Sequence, residues 1–174
     1  LNPVRGIRKP AKDKHRDRTI TMSEVRKMLR KMGYQRAGRI GSTAEAVANC
    51  MLLALRTGMR AGELCGLTWA NVHDLHAHLP DTKSDRPRDV PLSTRARAIL
   101  RRMKGWDEDL VFGIRPASLD ALFRKYRERA DLSGFTFHDT RHTAATMIAK
   151  KIDVLDLCKM FGWTDPKMAM VYYN

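Results

Sequence analysis

The sequence predicts a mainly helical domain with one small antiparallel sheet (α+β), on three observations. The chain has 174 residues, of which 43% are hydrophobic, enough for one domain with a packed core. Helix-capping signals followed by apolar residues at helical spacing recur along it. Only residues 71–91 lose the helical period, and there apolar stretches flank a polar turn, which is typical of a hairpin.

The first helices are predicted from their ends. Residues 21–24 (Thr-Met-Ser-Glu) form a capping box, and apolar residues at helical spacing follow it. Residues 42–45 (Ser-Thr-Ala-Glu) form a second box, which opens an apolar run through Leu55. Gly58 is the expected stop of that run, because glycine adopts the left-handed conformation that ends helices. A short helix is expected from Ala61 to Leu67.

The rest of the chain carries the hairpin and the remaining helices. Lys83 lies near the predicted hairpin tip, and residues 110–112 (Leu-Val-Phe) read as a short extended piece. Caps and periodicity predict helices from Ser93 to about Lys104, over 116–130, over about 138–150, between Asp153 and Gly162, and from Asp165-Pro166 onward.

The charge indicates a polyanionic partner. The formal net charge is +14 and the pI is about 10.2, so nucleic acid leads the list, although a ribosomal or histone-like protein would fit the same number. A membrane surface fits less well, because no segment forms a long basic amphipathic helix and no apolar run reaches membrane-spanning length. The spacing of the three cysteines fits neither a metal motif nor a disulfide framework, which favours reduced core thiols in a reducing compartment.

The first eighteen residues differ from the rest in composition. Residues 1–18 hold seven Lys or Arg and two acidic residues, and they fit either a solvated tail or a linker that follows a phosphate backbone. The chain reads as a fragment of a longer protein.

Several polar residues stand where anion chemistry would need them. Arg60 follows a glycine turn, and Glu63 lies one helical turn later, where it could hold the arginine or a neighbouring helix. His138 and Arg141 share one face at a helix N-terminus, which favours an anion. Taken singly, these residues also fit purely structural roles. Arg60 and Glu63 could form a surface ion pair, and Trp163, Tyr172 and His142 could be packing or capping residues.

Four sequence blocks resemble the ordered motifs of tyrosine recombinases, the phage integrase family. They are TGMRAGEL at 57–64, TKSDRPRDVPL at 82–92, HDTRHT at 138–143 and FGWTDPKMAMVYY at 161–173. The resemblance runs over most of residues 20–174. It implies a catalytic domain over 19–174 whose sheet has three strands, with 1–18 as an interdomain linker and a DNA-gripping domain upstream.

The resemblance also implies the roles of the site residues. Arg60 matches the first catalytic arginine with Glu63 in support, Lys83 matches the hairpin lysine, and His138 and Arg141 match the HxxR pair. Trp163 stands where most members have His and some have Trp, and Tyr172, nine residues later, matches the nucleophile. Phe161, Ala169 and Asn174 depart from the commoner Leu, Thr and His, but no reacting group is lost. Because an indole only donates, Trp163 cannot shuttle a proton.

The implied reaction transfers a DNA strand to the enzyme and back. Arg60 and Arg141 would clamp the scissile phosphate, with His138 as the expected general base and Lys83 as the general acid. The product would be a 3′-phosphotyrosine bond, and no metal, ATP or other cofactor is expected. The acidic run at 107–109 reads as a solvated turn.

The expected partner is double-stranded DNA. Arg95, Arg124, Lys125 and Arg127 are candidate DNA contacts. The full-length protein is expected to form a homotetramer on two DNA sites in the bacterial cytoplasm, at the nucleoid, and accessory DNA-bending proteins are compatible with this. Two alternatives stay open. One is a type IB topoisomerase, which relaxes supercoils with a similar site, and the other is a basic DNA-binding module without catalysis.

Overall fold

A computed structural model describes residues 18–80 and 86–173. The predicted linker, apart from Arg18, and Lys83 at the hairpin tip lie outside the described residues. The elements in chain order are α1 (Met22–Lys31), α2 (Thr43–Thr57), α3 (Ala61–Cys65), β1 (His76–Leu79), β2 (Arg88–Pro91), α4 (Thr94–Met103), α5 (Pro116–Arg129), α6 (Asp139–Ile148), α7 (Val154–Phe161) and α8 (Lys167–Met170). No helix in the described ranges is long and apolar enough to span a membrane.

The predicted capping box of α1 is confirmed, whereas at α2 only the cap from the Ser42 side chain is confirmed. Thr21 and Glu24 form the full reciprocal box, with the Thr21 backbone N–H donating to Glu24 Oε2 at 2.8 Å. Ser42 also accepts from the Glu45 backbone N–H at 3.2 Å. The Glu45 carboxylate, however, does not return to Ser42: it accepts from the Gly41 backbone N–H and pairs with Arg102 of α4. The second capping box was therefore wrong, because a buried arginine competes for the carboxylate.

Helix α2 is the centre of the core. Most of its residues are buried, and it packs against both α4 and α6. A helix that is apolar on nearly all sides must lie inside the domain. Cys50, on this helix, is buried with a free thiol, as are Cys65 and Cys158. Burial raises the pKa of the Cys65 thiol to about 11, which disfavours the reactive thiolate.

The sheet has two strands in the described residues, and the expectation of three is corrected. Strands β1 and β2 pair antiparallel, with Ala77 opposite Val90. Val72, in the segment where a third strand could form, makes only an isolated bridge to Ala77. A 3₁₀ turn over Trp69–Asn71 ends directly before Val72, and His73 already turns back to His76. Too few residues remain between these turns to extend a ladder.

Gly58, which ends α2, packs closely against the ring of Phe161. Its φ is +68°, and a Cβ built there would lie 2.3 Å from Phe161 Cζ. We expect Gly58→Ala to lower the free energy of unfolding by about 2–4 kcal/mol, from backbone strain plus overpacking.

Gly33 provides the matched control for that variant. Its φ is +71°, and nothing lies within 4 Å of an added Cβ. Gly33→Ala should therefore cost only the backbone penalty, about 1 kcal/mol. Denaturant unfolding of both variants measures the difference, and equal losses would contradict the proposed packing of Phe161 on Gly58.

Candidate active site

Arg60 and Glu63 are held together at the start of α3. Arg60 is the N-cap residue of this helix, and its backbone N–H donates to Glu63 Oε2 at 2.7 Å. Its Nη1 donates to Glu63 Oε1 at 3.2 Å, and its side chain stays 34% exposed. The carboxylate therefore orients the guanidinium while leaving part of it accessible to a ligand.

Arg141 joins two distant parts of the chain. It is buried on α6, and its Nη1 donates to the Gly58 carbonyl at 2.6 Å while its Nη2 donates to the Phe161 carbonyl at 2.6 Å. These carbonyls belong to the C-terminal ends of α2 and α7, where carbonyl groups lack partners within the helix. The guanidinium also lies over the Phe161 ring at 4.8 Å and over the Trp163 ring at 5.5 Å. Its position is fixed by these backbone and ring contacts.

A cleft of about 300 Å³ lies where α3, α5 and α6 meet. Arg60, His138 and Arg141 all line it, together with Asp120 near the start of α5. Burial of the ring and the nearby charge of Arg141 lower the pKa of His138 below its ordinary value, with a smaller contribution from Arg60. Two guanidinium groups and an imidazole on one cleft wall can bind an anion such as a phosphate.

The sequence predicts that Tyr172 lies inside the last helix, but the structure places it just past α8. Helix α8 ends at Met170. The Tyr172 ring stacks on Trp163, with the planes 3° apart and the centroids 5.6 Å apart. Its hydroxyl lies 3.1 Å from Nδ1 of His142. Burial raises the pKa of the Tyr172 phenol, while the charge of Arg141 lowers it.

Tyr173 is positioned quite differently from Tyr172. Its hydroxyl donates to the Ile152 carbonyl at 2.7 Å, and its side chain is exposed. The two adjacent tyrosines therefore have separate surroundings, and the charge of Arg141 acts on the phenol of Tyr172.

Two residues that sequence reasoning left out belong to these surroundings. The sequence favours a packing or capping role for His142, whereas the structure places its imidazole beside the Tyr172 hydroxyl. Arg88, on β2, donates from Nη2 to Glu63 Oε1 at 2.7 Å and from Nε to the Met160 carbonyl at 3.0 Å. One signal could have found Arg88: it shares the inward side of its strand with the buried Val90, and a charge there needs partners.

The candidate DNA contacts are dispersed. Arg124 and Lys125 are exposed on α5, and Arg124 lies one turn beyond Asp120 of the cleft. Arg95 is exposed on α4 and lines a different groove, beside Arg56. Arg127 is half-buried, and its Nη1 donates to the Phe135 carbonyl. These contacts give Arg127 a structural role within the domain.

Comparison with known proteins assigns the family. The phage integrase family model matches residues 15–174. A Haemophilus influenzae protein described as an integrase/recombinase is 38% identical over 99% of this chain and 58% of its own length. The shufflon-specific DNA recombinase of Escherichia coli is 34% identical over 98% of this chain and 44% of its own length. The chain therefore spans about half the length of these relatives.

A solved structure gives the same result for the fold. In the crystal structure of a lambda integrase tetramer bound to a Holliday junction, the matching chain has a TM-score of 0.76 and 21% identity, over 95% of this chain and 50% of that one. The family match extends over every described residue. This chain is thus a member of the phage integrase family, the tyrosine recombinases.

Proposed function

We propose that residues 19–174 are the catalytic domain of a site-specific DNA recombinase that forms a covalent 3′-phosphotyrosine bond through Tyr172. The observation that carries this proposal is the position of Arg141. Its guanidinium lines one cleft with Arg60 and His138, and its charge also acts on the Tyr172 phenol. The guanidinium of Arg141 therefore contributes both to the proposed phosphate site and to the surroundings of Tyr172, the proposed nucleophile.

The cleft residues suit the transition state of phosphodiester cleavage. Negative charge builds on the non-bridging oxygens as a hydroxyl attacks phosphorus, and Arg60 and Arg141 offer charged donors that need no reorganisation. His138 adds a donor on the same wall, and we assign the Trp163 indole N–H the same task. The phenol of Tyr172 attacks, and the 5′ oxygen leaves with a proton that we assign to Lys83. The protein–DNA bond conserves the energy of the phosphodiester, so a second 5′ hydroxyl can reverse the step without ATP.

The proposed partner is double-stranded DNA, bound by a tetramer of the longer protein at two sites. The net charge of +14 supports the polyanion, and a tetramer on a DNA junction is the form in which a structurally similar integrase was crystallised. In this proposal residues 1–18 link the domain to an upstream DNA-gripping domain, and Arg95, Arg124 and Lys125 contact phosphates. Phosphate contacts position a protein and carry no base sequence.

The test is covalent capture on a nicked duplex. A binding site obtained by in vitro selection is placed beside a nick, so that cleavage releases a short strand and traps the protein on the 3′ phosphate. We expect an adduct that forms in EDTA and whose modified peptide contains Tyr172. If no adduct forms on any selected site, the catalytic proposal is wrong and the alternative of a DNA-binding module without catalysis is favoured. Joining of two sites by the longer protein, rather than relaxation of supercoils, separates a recombinase from a topoisomerase.

A further inference from the structure

The hydroxyl of Tyr172 lies beside the imidazole of His142, to which the family resemblance assigned no catalytic role. His142 Nδ1 lies 3.1 Å from the phenol oxygen, and the two rings are 5.3 Å apart and inclined at 50°. His142 follows Arg141 on α6, so the same helix holds both the cation of the cleft and this imidazole. We propose that His142 is the general base that takes the phenolic proton of Tyr172, an inference that rests on the recombinase function proposed above.

Of the described residues beside the Tyr172 phenol, His142 is the one that can accept its proton. Trp163 holds the phenol ring by stacking, but an indole has no acceptor nitrogen. Arg141 acts on the phenol by charge, and a guanidinium does not accept protons in proteins. A neutral imidazole with its hydrogen on Nε2 presents the Nδ1 lone pair to the hydroxyl. Among the described residues, this is the hydrogen bond that the structure gives the phenol.

The proton balance closes without another reactant. The phenol O–H breaks, its proton moves to Nδ1, and the oxygen forms the bond to phosphorus while the bond to the 5′ oxygen breaks. That oxygen takes a proton from the general acid, for which Lys83 is the candidate. During rejoining the 5′ hydroxyl attacks phosphorus and gives its proton back to the general acid, while the imidazolium returns its proton to the departing phenolate.

This assignment separates the roles of the two histidines. His138 lines the cleft with Arg60 and Arg141, where it faces the position proposed for the phosphate. His142 lies on the next turn of the same helix and reaches Tyr172. His138 is then a donor to the phosphate, and the base role first expected for it passes to His142.

The experiment measures single-turnover cleavage of the nicked substrate by His142→Ala and His142→Gln. General-base catalysis contributes about 10²–10⁴-fold, and we expect both variants to lose about 10²-fold or more. Glutamine can still hydrogen-bond the phenol but cannot take its proton. Thr146→Ala is the control on the same helix, because the Thr146 hydroxyl donates to the backbone carbonyl of His142 at 3.1 Å and not to its imidazole. It should cleave at the wild-type rate.

A second measurement separates proton transfer from structural support. Replacing Tyr172 with a fluorinated tyrosine, whose phenol loses its proton more readily, should restore most of the rate lost in His142→Ala. A substrate with sulfur as the 5′ leaving atom, which needs no proton, should leave the loss unchanged. Wild-type cleavage by His142→Ala, full activity of His142→Gln, or no gain from fluorination would overturn the proposal. If wild type itself forms no adduct, the recombinase function fails instead, so the two failures are distinguishable.

Discussion

Tyr172→Phe is expected to form no covalent adduct with the nicked substrate under conditions in which wild type is trapped to completion. The substitution removes the one oxygen that can become the 3′-phosphotyrosine and leaves the aromatic ring that stacks on Trp163. The folded state loses a hydrogen bond to His142, which is worth about 1 kcal/mol. DNA affinity in a mobility-shift assay should be unchanged, because no charge is lost.

Tyr173→Phe is the matched control for that result. It removes a hydroxyl from the adjacent residue, where it donates to the Ile152 carbonyl at 2.7 Å. Its cleavage rate should stay close to that of wild type. An adduct in Tyr172→Phe that is lost in Tyr173→Phe would exchange the two assignments. An adduct in both variants would remove the tyrosine mechanism altogether.

Local signals were sufficient for most helices and insufficient for the partners of buried charges. The cap at Thr21 and the stop at Gly58 depend on a few neighbouring residues, and the structure confirms them. Glu45 looked equally local, but its carboxylate pairs with Arg102, 57 residues away. A capping motif does not show whether a buried cation from another helix competes for its acid.

For the site too, the sequence predicted residues that belong to motifs and missed a contact between distant residues. The sequence placed Arg60, His138 and Arg141 in motifs, and the structure brings all three to one cleft. It could not show that His142 reaches Tyr172, because consecutive residues of a helix point in different directions and the contact spans 30 residues. The three-stranded sheet failed for a further reason. The third strand was implied by the family resemblance, which does not reveal the turns on either side of Val72 that prevent a ladder in this chain.

Arg141→Ala is expected to lower the single-turnover cleavage rate by about 10²–10³-fold, the loss that follows removal of one oxyanion donor. Without the guanidinium the cleft loses a fixed positive charge, and the pKa of the Tyr172 phenol should rise further, because Arg141 opposes the effect of burial there. The carbonyls of Gly58 and Phe161 also lose their donor. We therefore expect a loss of unfolding free energy of about 2–4 kcal/mol.

Lost stability must be separated from lost catalysis, and Arg102→Ala provides the control. Arg102 is a buried arginine too, with a side chain 9% exposed; it pairs with Glu45 and lines a groove other than the cleft. Removing it leaves a buried carboxylate without its cation, which destabilises strongly. At a temperature where circular dichroism shows both variants folded, Arg102→Ala should cleave like wild type and Arg141→Ala should not. Equal rates would mean that Arg141 acts through folding alone, because a clamp on the phosphate lowers the barrier in molecules that are already folded.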